Sequence, residues 1–144
     1  MSKDEIQQIL ATVLPKRLEI CDPPSEADWT QLSARFGCTF PDEFRSFIDL
    51  MTIFRFPGEI FGAAREENGG ESAIAIIYDQ ECKYATWDRD MIPFYGIGNG
   101  EYFCINRTKC PDSPVYYRYL ERESFEEISH SFEQWIRGLP EFLD

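Results

Sequence analysis

The stretch Ile92-Pro93-Phe94-Tyr95-Gly96-Ile97-Gly98-Asn99-Gly100-Glu101-Tyr102-Phe103-Cys104-Ile105-Asn106 decides how this chain is read. Two apolar, aromatic-rich runs flank Gly98-Asn99-Gly100, and Asn-Gly best tolerates the two positive φ angles of a type I′ turn. The segment is therefore expected to form a β-hairpin central to a sheet. It carries no evident catalytic group. Its glycines match a phosphate-binding loop in composition alone, because such a loop must open a helix and residues 101–105 continue as strand.

Periodicity places the elements on either side. Ile6, Ile9, Leu10, Val13 and Leu14 fall at helical spacing, with Ser2 and Glu5 spaced as a capping box and Pro15 as the stop. They predict a helix over residues 3–14. Asp22-Pro23-Pro24 leads into a second helix, with Ser25 as N-cap, Trp29, Leu32 and Phe36 inward, and Gly37 at its end. Pro41-Asp42-Glu43 opens a third, whose buried stripe is Phe44, Phe47, Ile48 and Met51.

After Pro57-Gly58 the character changes. Residues 59–61 read as a short strand, 65–71 as a mobile acidic loop, and 73–78 as an apolar, β-branched strand. Val115-Tyr116-Tyr117-Arg118-Tyr119 alternates as a strand should. Ser124 and Glu127 again have capping-box spacing, so Phe125, Ile128, Phe132, Trp135, Ile136 and Leu139 predict one long amphipathic helix ending near Gly138. The expected fold is α+β, one domain over residues 1–144: N-terminal helices, a central, mainly antiparallel sheet, and a C-terminal amphipathic helix packed on it.

Composition narrows the function classes. With 144 residues, 12 Phe, 7 Tyr and 3 Trp, the chain can bury one substantial core. No run is long enough to span a bilayer, and Met1-Ser2-Lys3-Asp4-Glu5 lacks the basic end and apolar block of a secretory leader, so a cytoplasmic location is expected. Fourteen Lys and Arg against 26 Asp and Glu leave a net charge of −12. Such a field repels nucleic-acid phosphate and anionic membrane and favours a basic protein partner.

Few residues carry recognisable chemistry. His130, the only histidine, would sit about 160° from the core stripe of the last helix, at roughly 100° per residue, which places it on the surface. The five cysteines show no Cys-x-x-Cys pair, so neither a metal nor a cofactor is expected. Cys110 stands beside Arg107 and Lys109, whose charge would lower its pKa; a small thiol-dependent hydrolase or transferase is the enzymatic alternative. Asn106-Arg107-Thr108 fits the glycosylation pattern, but that chemistry needs a secretory route.

What recurs is acidic density in the middle segment: Glu59, Glu66, Glu67, Glu71, Asp79, Glu81, Asp88, Asp90 and Glu101, interrupted by Arg65, Lys83 and Arg89. It reads either as a hydrated rim or as a docking face for a basic protein, with Tyr95 and Tyr102 the aromatic candidates for contact. No catalytic residue is assigned.

The order of elements resembles a known family. The residues that carry this are Trp29, Leu32 and Phe36; Phe40-Pro41-Asp42-Glu43-Phe44-Arg45-Ser46-Phe47; the hairpin stretch from Ile92 to Ile105; and Ile128-Ser129-His130-Ser131-Phe132-Glu133-Gln134-Trp135-Ile136 ahead of Leu139. Together they resemble the SUKH superfamily, which includes the yeast-type cell-wall-assembly regulator domain and many bacterial immunity proteins. The chain departs from it in carrying Thr52-Ile53-Phe54-Arg55-Phe56-Pro57-Gly58 where members often place Asn-Gly, and Gly100-Glu101 where Gly-Asp is common. The resemblance implies an α+β domain, mostly non-enzymatic, that neutralises a cognate toxin, often a nuclease, by binding it. Its alternative is a cellular interaction or scaffold module with no toxin partner.

Overall fold

The structure, a computed structural model, describes residues 1–66 and 69–143. Three helices lead: α1 (Lys3–Ala11), α2 (Glu26–Phe36) and α3 (Asp42–Leu50). Their starts follow the capping logic of the sequence. Ser2 Oγ accepts from the Glu5 amide at 3.2 Å. Ser25 and Asp28 cap one another reciprocally at 3.1 and 2.9 Å. Gly37 takes the left-handed conformation, φ 66°, that ends α2.

A five-stranded antiparallel meander follows, in the order β1 (Glu59–Ile60), β2 (Met91–Gly96), β3 (Tyr102–Asn106), β4 (Val115–Tyr119) and β5 (Ser124–Ser129). The expected β2–β3 hairpin is present in the interior of the sheet, but its turn differs. Positive φ falls on Gly98 (86°) and Gly100 (84°), and Asn99 is not among the residues with positive φ. The glycines absorb the left-handed angles without a Cβ clash. Asn99 is left to accept from the Glu101 amide at 3.0 Å through its side chain. Residues 97–101 thus form a longer loop than a type I′ turn.

Two expectations are corrected. Residues 73–78 belong to a helix, α4 (Ala73–Glu81), whose N-cap Ser72 accepts from the Ala75 amide. Ile74 and Ala75 are buried, with Ile77 and Tyr78 half-buried one turn on, a helical rather than an alternating pattern. The single C-terminal helix is instead strand β5 followed by α5 (Phe132–Arg137) and α6 (Leu139–Phe142). The cap that starts α5 is Ser131, accepting from the Gln134 amide at 3.1 Å, while Gln134 Oε1 accepts from the His130 amide at 2.8 Å. C-terminal helices do pack on the sheet, as expected.

The core lies mainly between the helices and one face of the sheet. Phe44 is at its centre, stacked on Phe40 at 5.5 Å and edge-on to Phe94 and Phe132 at 5.6 and 5.3 Å. An irregularity in the β2–β3 register between Pro93 and Tyr95 accompanies the burial of both Phe94 and Tyr95 in this core. On the opposite face Trp87, Met91, Cys104 and Tyr116 form a smaller cluster, against which Phe125 packs. Arg118 is buried there: Trp87 and Phe125 lie 5.7 and 5.1 Å from its guanidinium, which donates to Thr86 at 3.0 Å. β5 is an outer strand, paired among the described residues with β4 alone.

Candidate functional site

The acidic residues singled out by the sequence do not converge on one face. Asp90 pairs with Arg107 at 2.8 Å at one end of the β2–β3 hairpin. Glu101 lies at the other end, about 20 Å away at roughly 3.3 Å per residue along β3. Asp79, on α4, pairs with Arg35 of α2. The Asp88 carboxylate accepts from the Asp90 amide at 2.9 Å, closing a turn. Glu81 accepts from the Tyr102 hydroxyl at 3.3 Å. Glu67 lies outside the described residues.

Glu101 is the most heavily engaged of the set. It accepts from the Tyr117 hydroxyl at 2.8 Å, the Leu120 amide at 3.0 Å and the Asn99 side-chain amide at 3.4 Å. These bonds, the Leu120 amide foremost, hold its carboxyl below the ordinary value. Burial, reinforced by Glu101, pushes Tyr117 up to about 12.

Glu59, Glu66 and Glu71 differ: each is exposed and has no hydrogen bond or ion pair with another side chain among the described residues. Glu71 lines a cleft of about 370 Å³ between α2 and the start of α4, together with Asp28, Arg35 and Arg65. There Asp28 accepts from both the amide and the Nε of Arg65 at 3.4 Å, tying the chain ahead of Glu66 to the start of α2.

The two tyrosines are placed differently from the expectation. Tyr95 is 3% exposed, its ring stacked on Phe103 at 5.2 Å, so it belongs to the core and not to the rim. Tyr102 is half-buried between Phe61 and Trp87, with ring centroids at 6.0 and 5.8 Å. A second aromatic region lies beyond these two residues. Phe103, Tyr117, Tyr119, Ile128, Trp135 and Phe142 line a groove of about 490 Å³ between the sheet and the C-terminal helices. Ile97, in the hairpin loop, extends it. The available signal was an apolar residue set between Gly96 and Gly98 at a loop tip, where solvent exposure is the rule.

The thiol expectation is also reversed. The Cys110 thiol is pushed up by its hydrogen bond with Cys38 and by burial. Cys38 is the one that ionises more readily, through the same bond and the nearby Arg107 charge. Burial raises Cys104 well above the ordinary thiol value. His130 is exposed as expected, although it follows a strand; its side chain faces Glu127 at 3.4 Å. Among the described residues, no three His, Cys, Asp or Glu side chains gather as a metal would require. No helix among them is long and apolar enough to cross a membrane.

The arrangement defines an α+β domain whose distinctive features are surfaces: carboxylates spread over loops, and an aromatic groove open to solvent. The SUKH_5 family model, described as SMI1-KNR4 cell-wall, matches residues 3–141, and the chain belongs to the SUKH superfamily. No curated protein matches it.

Proposed function

We propose that the chain is a non-enzymatic binding protein of the immunity kind, which neutralises a cationic toxin domain by covering it with an acidic surface. The observation that carries this reading is the net charge of −12, part of it on Glu59, Glu66 and Glu71, whose carboxylates are exposed and unpaired among the described residues. Charges of this kind steer encounter and fix register. Asp79 and Asp90 are already neutralised by Arg35 and Arg107, so they contribute less to the outward field. Membership of the superfamily supports a binding role and the absence of a catalytic one.

The test is co-purification with the protein encoded next to its gene, followed by rescue of cells from that protein's toxicity. Rescue is expected. If the neighbour has no toxic activity and no complex forms, the toxin reading falls and an interaction module without a toxin replaces it. In a complex, reversing charge at Glu66, Glu67 and Glu71 should slow association more than it speeds dissociation. An unchanged association rate at low salt would remove that patch from the contact.

A further inference from the structure

The groove between the sheet and the C-terminal helices has three properties that a merely buried seam lacks. Its walls include side chains the fold leaves in solvent: Phe142 is 53% exposed, Ile97 60% and Ile128 40%. It is also flanked by negative charge. Glu101 lines it and is held ionised by its hydrogen bonds. Glu126 stands directly across from Tyr117 in the β4–β5 ladder and so on the same face. Finally, a cation already sits at its rim: the Arg122 guanidinium lies 3.8 Å over the Tyr119 ring and 3.7 Å from Glu126.

An aromatic face between two carboxylates is a receptor for a guanidinium, which can stack on the ring and pair with the acids at once. Exposed apolar side chains beside it would take the hydrophobic neighbours of that arginine. We propose that this groove is the primary docking site for a cationic segment of a protein partner. One partner arginine is seated on Tyr119 between Glu101 and Glu126, and an adjacent apolar side chain packs on Phe142. Arg122 is the chain's own occupant of that seat and is displaced on binding. This rests on the reading of the chain as a binder of basic proteins and names the surface that does the binding. Glu59, Glu66 and Glu71 then act at a distance, as steering charges.

The test uses the full chain, labelled for NMR, and a synthetic hexapeptide of alternating leucine and arginine. The control is the same peptide with citrulline, which keeps the shape and removes the charge. Saturable shifts centred on Tyr119, Ile128 and Phe142 are expected with arginine and not with citrulline. Phe142→Ala and Tyr119→Ala, each checked for an unchanged fold by circular dichroism, should weaken binding about tenfold, as hot-spot truncations do. Arg122→Ala should strengthen it. Shifts centred on Glu59, Glu66 or Glu71, equal binding of the citrulline peptide, or no saturable shift would each overturn the proposal. Toxicity rescue separates the two readings. Rescue that survives Phe142→Ala and Tyr119→Ala removes the groove and leaves the immunity role standing. Groove binding without any rescue removes the toxin and leaves the docking site.

Discussion

Glu101 serves two ends at once. It flanks the groove with negative charge, and its oxygens close the β2–β3 loop onto Tyr117 and Leu120. A carboxylate held below its ordinary value contributes stability that is present above 4.5 and is lost as pH falls through the lower value of the folded state. Glu101→Gln should therefore lower the melting temperature at neutral pH and flatten the loss of stability on acidification below 4.5. Thermal melts of both proteins from neutral to acid pH check this; parallel curves would show that Glu101 is a bystander. None of this was legible beforehand, because sequence reports that a carboxylate is present and not which donors converge on it.

Among the elements, the helices with strong end signals were legible: Ser25 with Asp28 and Gly37 bracket α2 where expected. The β2–β3 hairpin was legible from its flanking apolar runs. The C-terminal region misled for a physical reason. Two Ser-x-x-Glu/Gln patterns occur within it, Ser124 to Glu127 and Ser131 to Gln134, and only the second is a cap. The first lies in a strand because residues 124–129 pair with β4, an interaction that local spacing cannot reveal. Ser131→Ala should destabilise the chain by about 1 kcal/mol, a typical loss for an N-cap. Ser124→Ala, on the exposed outer strand, should stay within about 0.5 kcal/mol of wild type. Urea denaturation measures both, and a cap-sized loss at Ser124 with none at Ser131 would restore the single-helix reading. The error at α4 has a related cause: isoleucine-rich composition favours a strand, but Ser72 supplies a cap and two alanines tolerate the helix.

For the molecule as a whole, the sheet has a core on each face, and the larger one is rich in rings. Phe44 touches rings from α2, the sheet, α5 and the residue Phe40 just ahead of its own helix, and is fully buried. Phe44→Ala should cost about 3–5 kcal/mol, since a cavity there cannot collapse without moving three elements. That loss is a large share of a typical domain's stability, so the variant should be extensively unfolded or thermally labile by calorimetry. The aromatic groove is the outer margin of this core, which explains why periodicity missed it: its side chains come from separated strands and from the last helix. The free margin of β5 has a different consequence. Glu126 and Glu127 are consecutive, so they charge both faces of a strand whose outward amides face no strand among the described residues. A second copy adding edge to edge would bring four carboxylates together. Glu126→Thr/Glu127→Thr should accordingly sediment as larger species with rising concentration while wild type does not. The strand that closes the sheet thus carries its own protection against polymerisation, which neutralising substitution would remove.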